Sequence, residues 1–272
     1  MTTNATFGQE TTAEEITQAF ASRITGRTGG YTTAMFFLNR NEQLMVSQVL
    51  ITGVNPNGLG AAAAQAIAKH EPKAIIMTAR TPAKAEAVAE LLRSQNSASP
   101  AEYHIVQLDL SSLASVRDGG RQIQALADSI DIVINNAGIM AIPERTLSAD
   151  GVELHLATNF LGHFLLTRLL LAQLRAGGGA RVVNITSAGF VLTPFRFADY
   201  NFDGGRALPA AEHADITVAK LMGFSDLDPQ TGYVPMVAYA QANVANMLFT
   251  KRLSELYAKD GILSFSAAPG GL

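Results

Sequence analysis

The chain has 272 residues, 48% of them hydrophobic, and a formal net charge of −3, which is length enough for one large α/β domain with a continuous core. That charge leaves no basic footprint for nucleic acid and no polybasic membrane anchor, and no stretch reaches the roughly 18 uncharged apolar residues of a membrane span. With no cysteine and no basic or apolar leader in "MTTNATFGQETTAEE", disulfides, thiolate metal sites and cysteine nucleophiles are excluded and a cytoplasmic location is the default expectation.

In chain order, Thr12 and Glu15 form a capping box that opens an amphipathic helix, "AEEITQAFASRI". The following "GGYTTAMFFLNRNEQLMV" fits no regular element, so residues 1–47 read as an N-terminal helix with an irregular extension and residues 48–272 as the main domain. From Gln48 onward, β-rich runs alternate with longer helical segments. Strands are expected at "SQVLITG", "KAIIMTA", "EYHIVQLDL", "DIVINNAG", "ARVVNITS" and "ILSFSAA", with helices near 59–69, 82–94, 112–128, 151–174 and 237–259. This rhythm predicts an α/β fold, a Rossmann-type doubly wound parallel sheet in a single domain, six strands in the order 3-2-1-4-5-6. One region breaks it, a Gly/Pro-bearing loop from about Asp199 to Pro235, and loops of that length are usually functional or disordered.

The turn after the first strand, "TGVNPNGLG", runs from Thr52 to Gly60. Gly53, Gly58 and Gly60 let the backbone turn tightly, and Asn57 and Leu59 complete a loop that can approach a pyrophosphate at a helix N-terminus. The second strand ends in "TARTPAK", with Arg80 at its carboxyl end, Lys84 one helical turn beyond, and no carboxylate at that strand end. An acidic residue there would bind the ribose hydroxyl of NAD, whereas an arginine accommodates the 2′-phosphate of NADP; the alternative is that both cations are solvated surface charges. Asp109, followed by Leu110 in "QLDL", either accepts from the adenine amino group or caps the next helix. In "NNAG" the amides of Asn135 and Asn136 can tie neighbouring strands together while Ala137 and Gly138 leave room for a cofactor.

Taken together, "TGVNPNGLG", "NNAG", "ATNFLGHFLLT", "NITSAG", "AYAQAN" and "APGG" resemble, in order and spacing, the short-chain dehydrogenase/reductase superfamily, and most closely its retinol-dehydrogenase-like and WW-domain-oxidoreductase-like branch of fungal type. The resemblance covers about Gln48 to Gly271. It implies that Ser187 hydrogen-bonds the substrate carbonyl, that Tyr239 is the proton donor and acceptor, that Asn159 holds a proton-relay water, and that Pro269 and Gly270 lie beside the nicotinamide of NADP(H). His163 in "LGHF" reads as a structural helix residue rather than a base.

The family's lysine falls on Asn243. A free phenol titrates near pH 10, and an ammonium a few ångströms away lowers such a value by about 1–3 units while gripping the nicotinamide ribose. Asn243 can make the hydrogen bonds but carries no charge, so roughly 1.4–4 kcal/mol of electrostatic tuning is expected to be absent. The family also continues past "PGG" into a lid helix and a seventh strand, which are expected to be missing here. Strand six would then be an uncovered edge, through which the chain loses solubility or associates as a homo-oligomer. These departures and the segment 29–46 admit three readings: a weakened reductase, a noncatalytic nucleotide-binding protein, or a gene-model error such as a translated intron between "ASRITGRT" and "VLITG". Two functions follow: an NADP-dependent oxidoreductase acting on a carbonyl or secondary alcohol of a small apolar molecule of secondary metabolism, or a catalytically impaired NADP-binding scaffold.

Overall fold

A computed structural model describes residues 47–204, 207–221, 223 and 232–269. The helix expected after Thr12, the 29–46 segment and Gly270 lie outside the described residues. Six strands form one sheet in the order β3-β2-β1-β4-β5-β6: β1 Gln48–Thr52, β2 Ala74–Ala79, β3 Glu102–Gln107, β4 Ile132–Asn135, β5 Arg181–Ile185 and β6 Leu263–Ala267. Every pairing is parallel, with Val49 opposite both Ile75 and Ile132. Strand number and order are those expected from the alternation of β and helical runs.

The central strands read as unbroken apolar runs because both faces are covered, and every residue of β1 and β2 is buried. Alternation within a strand then sorts the side chains. Val49 and Ile51 pack with Ile75, Met77 and Ile134 under α1 (Leu59–Ala68) and α2 (Pro82–Gln95), while Leu50, Ile76 and Val133 face the opposite side. There α3 (Leu113–Leu126) contributes Val116 and Ile123, and the long C-terminal helix contributes Phe249 and Leu253. Helix boundaries follow local chemistry. Pro82 opens α2 in its first turn, and the Ser112 hydroxyl caps α3 by accepting from the Ser115 N–H.

Two expectations are corrected. The single helix at 151–174 is instead a π-wound turn, Leu156–Leu161, continued by α4 (Gly162–Leu169) and, after Leu170 leaves helical geometry at ψ 10°, by α5 (Leu171–Ala176). The tight spot is Gly162, where a methyl group would stand 2.4 Å from the Leu110 carbonyl oxygen, so the helix can cross the end of β3 only at a glycine. The Asp199–Pro235 region is also no bare loop. Within its described residues it holds a 3-10 turn, Ala210–Glu212, and α6 (Ile216–Leu221). Phe202, Ala214 and Ala219 bury themselves with Leu192 against Val237 and Ala240 of α7 (Pro235–Tyr257).

Candidate active site

The carboxyl ends of β1 to β4 open on a cleft of about 550 Å³. Its lining includes Gly53, Leu59, Arg80, Lys84, Asp109, Leu110, Asn136, Ala137 and Gly138, together with Ile139, Ile142 and Thr158. The turn that closes it is built for backbone approach. Gly53 adopts φ +71°, and a methyl group there would lie 2.6 Å from the Ala137 Cα. A methyl on Gly60 would lie 2.8 Å from Asn136 Nδ2. Asn57 takes a left-handed φ of 61° at the exposed tip, a conformation asparagine tolerates. Gly58 offers no side chain to cap α1, so the positive end of its dipole is open to an anionic group. These are residues that fit a dinucleotide.

Below the cleft lies a buried polar scaffold. Thr52 Oγ1 accepts from the Asn136 and Ala137 N–H groups at 2.9 and 3.0 Å and contacts His163 Nε2 at 2.8 Å. His163 Nδ1 is 2.9 Å from the Asn159 carbonyl and donates to it, which makes Nε2 the acceptor of the Thr52 hydroxyl. Burial pushes the His163 pKa down to about 4, against a smaller upward pull from the Asn159 carbonyl. The ring is neutral at neutral pH. Asn136 Nδ2 donates to the Thr52 carbonyl, and Asn135 Nδ2 donates to Asn184 Oδ1, tying β4 to β1 and to β5.

Beyond it, Asn159 holds the cleft residue Ile139, and Ser187 and Tyr239 meet around Gly189. Asn159 sits in the π turn, its Oδ1 accepting from the Ile139 N–H and its Nδ2 donating to the Ile139 carbonyl, each at 2.9 Å. Ser187, two residues past β5, caps the 3-10 turn Ala188–Leu192, with Oγ accepting from the Gly189 N–H at 3.2 Å. Tyr239 stands part-exposed in the second turn of α7. A methyl on Gly189 would lie 3.5 Å from Ser187 Oγ and 3.8 Å from Tyr239 Cε1, so serine and tyrosine flank one bare backbone position. Asn243, one turn on, is 3% exposed and turned inward: Nδ2 donates to the Tyr239 carbonyl at 2.9 Å and Oδ1 accepts from Thr186 Oγ1 at 3.2 Å.

A buried Glu153–His155 pair links cleft to tyrosine. The Glu153 carboxylate accepts from the His155 and Leu156 N–H groups, capping the start of the helix, and from His155 Nδ1 at 2.7 Å. His155 Nε2 accepts from the N–H of Ile142, a cleft residue, at 3.2 Å. With both nitrogens held, the ring packs edge-on to Tyr239 at 6.3 Å and against Tyr233 at 6.5 Å. The Tyr233 hydroxyl donates to the Ile142 carbonyl, and its pKa is pushed up to about 12 by burial and then by the Glu153 charge.

A sequence model of the short chain dehydrogenase family matches residues 47–201. The chain is 35% identical over 269 residues to the oxidoreductase fscI of Fusarium equiseti, covering 97% of this chain and 95% of that protein. The chain belongs to the short chain dehydrogenase family. It is also 34% identical over 225 residues to human retinol dehydrogenase 13, covering 82% of this chain but 58% of that one, so it spans well under two thirds of that relative. Among solved structures, a metagenomic short-chain oxidoreductase in complex with NADP superposes with a TM-score of 0.57 at 20% identity, covering 83% of this chain and 82% of that one. A short-chain dehydrogenase from Sphingobium yanoikuyae in complex with NADPH gives 0.57 at 21%, covering 82% and 71%. The protein is therefore an oxidoreductase of a family that binds nicotinamide cofactors, on a Rossmann fold.

Within this dehydrogenase the expected site residues sort into three groups. Gly53, Leu59, Arg80, Lys84, Asp109, Leu110, Asn136, Ala137 and Gly138 line the cleft together, with Asn57, Gly58 and Gly60 in the turn above it but not in its lining; Ser187 and Tyr239 form the second cluster, and Asn159 holds Ile139 between them and the cleft. Thr52 and Asn243 lie one layer deeper, spent on protein partners. Pro269 is exposed just past β6. Asp109 does not cap α3, since Ser112 does; Asp109 Oδ1 instead accepts from the Ser111 N–H and hydroxyl. The sequence analysis missed His155, whose spacing of two from Glu153 in "DGVELH" was a readable sign of a shared helix start. It also missed Asn246, which continues the Tyr239–Asn243 stripe. Among the described residues no helix is long and apolar enough to cross a membrane, and β6 pairs on one side only, with β5.

Proposed function

We propose that this dehydrogenase uses NADP(H) and transfers a hydride between the nicotinamide and a carbonyl or secondary alcohol of a small apolar molecule, of the kind found in secondary metabolism. The observation that carries the reading is the meeting of Ser187 and Tyr239 around Gly189, joined through His155 and Ile142 to a cleft that carries Arg80 and Lys84. NADP(H), when bound, supplies the hydride. The chain's own residues do the rest. Arg80, aided by Lys84, would hold the 2′-phosphate through charge-assisted hydrogen bonds, and Asp109 would accept from the adenine amino group. The Ser187 hydroxyl orients the substrate oxygen, and the Tyr239 hydroxyl gives that oxygen a proton in reduction or takes it in oxidation. Structural neighbours in complex with NADP and NADPH and the similarity to a fungal oxidoreductase support the reading.

The test is titration of NADPH and NADH into the protein, followed by an assay against a panel of ketones and aldehydes. Tighter NADPH binding with slow reduction is expected; equal or tighter NADH binding overturns the cofactor assignment. One observation favours a second reading, an impaired NADP-binding scaffold: Asn243 brings no charge and spends its amide on Tyr239 and Thr186. NADPH binding with no turnover on any member of the panel would select it.

A further inference from the structure

Helix α7 carries a second asparagine one turn beyond Asn243. Asn246 is 3% exposed, and its Nδ2 donates to the Asn159 carbonyl at 3.1 Å. Turning the amide over would set two acceptors face to face, so only this orientation makes the bond. The bond is not needed to satisfy Asn159, whose carbonyl already receives His163 Nδ1 at 2.9 Å. It also leaves Asn246 Oδ1 buried without a hydrogen-bond partner. Burying such an oxygen costs stability, and a leucine of similar volume would avoid that cost. Folding stability alone does not favour asparagine here.

Residues 239, 243, 246 and 250 follow one face of α7 at helical spacing. Asn243 bonds to Thr186, the neighbour of Ser187; Asn246 bonds to Asn159; Thr250 Oγ1 accepts from Asn184 Nδ2 at 2.9 Å. Together the bonds tie the helix bearing Tyr239 to β5, to the turn leading from β5 to Ser187, and to the π turn that carries Asn159. We propose that Asn246 is a positioning residue whose bond to the Asn159 carbonyl fixes the rotation and height of α7, and so where the Tyr239 hydroxyl stands relative to Ser187. In a chain with Asn243 in place of the family's lysine, this neutral seam does the placing that a charge would otherwise assist. The inference rests on the oxidoreductase reading above.

The test compares the full chain with Asn246→Leu and Asn246→Asp, using NADPH and the carbonyl panel, with hydrogen exchange of the α7 amides read in parallel. For Asn246→Leu, kcat should fall about 10- to 100-fold, the scale of a small misplacement at a reacting centre. The KM for NADPH should stay within about twofold, the melting temperature should hold or rise, and amides around Tyr239 should exchange faster. For Asn246→Asp, kcat relative to wild type should recover as pH falls from about 8 to 5.5, because a protonated carboxyl can again donate to the Asn159 carbonyl; Leu cannot mimic that recovery. A kcat within about twofold of wild type in both variants, or a parallel loss of kcat, NADPH affinity and melting temperature, overturns the proposal. If the wild type reduces nothing, the oxidoreductase reading fails by itself. Exchange then decides the positioning claim: faster exchange around Tyr239 in Asn246→Leu upholds it, and unchanged exchange overturns it.

Discussion

The two halves of the site are held in different ways. The cofactor half depends on backbone: Gly53 and Gly60 admit no side chain, Asn136 laces β4 to the glycine turn, and the segments involved are short motifs at strand ends. The reaction half depends on side-chain amides reaching between remote segments, with Asn159 clamping Ile139 and Asn243 joining Tyr239 to Thr186. Charge divides them too. The first half presents Arg80 and Lys84 to the cleft, whereas among the described residues no lysine or arginine hydrogen-bonds Ser187, Tyr239 or Asn243. On the proposed reading, the site keeps its grip on the cofactor while its acid works without electrostatic help, and each half is open to separate perturbation.

The largest effect is expected from removing the acid. Tyr239→Phe should lower carbonyl reduction by roughly 100- to 10,000-fold, the usual contribution of a positioned proton donor, while NADPH affinity measured by calorimetry stays unchanged. A variant that keeps its rate would move the proton donor elsewhere and merge the two halves. Next comes the missing charge. Asn243→Lys gives up both amide bonds, but an ammonium near the phenol, if its effect appears fully in the transition state, should raise turnover by roughly 10- to 1000-fold. The gain must vanish in the double variant with Tyr239→Phe. An Asn243→Lys protein that binds NADPH and remains at background would show that charge is not what the reaction half lacks.

A third expectation concerns the scaffold beneath both halves. His163 has a folded-state pKa of about 4 against 6.5 for the free side chain, so between those values the unfolded chain takes a proton that the folded chain refuses. Stability contributed by this site is intact above about pH 6.5 and falls as pH drops, by about 3 kcal/mol near pH 4. Urea unfolding at pH 7 and pH 4.5 should show a loss of about 2 kcal/mol, and His163→Gln should be less acid-sensitive than wild type even if it is weaker at pH 7. Equal acid sensitivity in the two proteins would mean that His163 does not couple Thr52 to Asn159 as a neutral bridge.

The residues expected on the cofactor side could be named from the sequence because their information is local, and the cleft gathers most of them. A glycine after an apolar strand, an arginine at the next strand end and "NNAG" each act within a few residues of their own position, and the strand order follows from the same alternation of apolar runs. The reaction half was legible only as far as its motifs. That Asn243 turns inward, that Asn246 reaches Asn159 and that His155 supports Tyr239 depend on helices meeting across the fold, which no spacing along one segment reveals. The π turn at Leu156–Leu161 was hidden for a related reason, since its apolar pattern is that of an ordinary helix.

The smallest expected effect tests the cofactor half alone. Arg80 lines the cleft but is solvent-exposed, so the grip on a 2′-phosphate proposed for it would be partly screened by water and salt. Hydrogen bonds to a charged group contribute about 1.5–3 kcal/mol, and exposure places Arg80 toward the lower end. Arg80→Ala should therefore cut the preference for NADPH over NADH about 10-fold while leaving NADH affinity unchanged, because NADH lacks the phosphate. Lys84 keeps the residual preference, so the pair Arg80→Ala and Lys84→Ala should remove most of it. Raising salt from about 50 to 500 mM should shrink the wild-type preference in the same direction, as the Debye length contracts. If Arg80→Ala weakens NADH as much as NADPH, the arginine supports the cleft wall rather than reading the phosphate, and the cofactor half would, like the reaction half, be held by side chains.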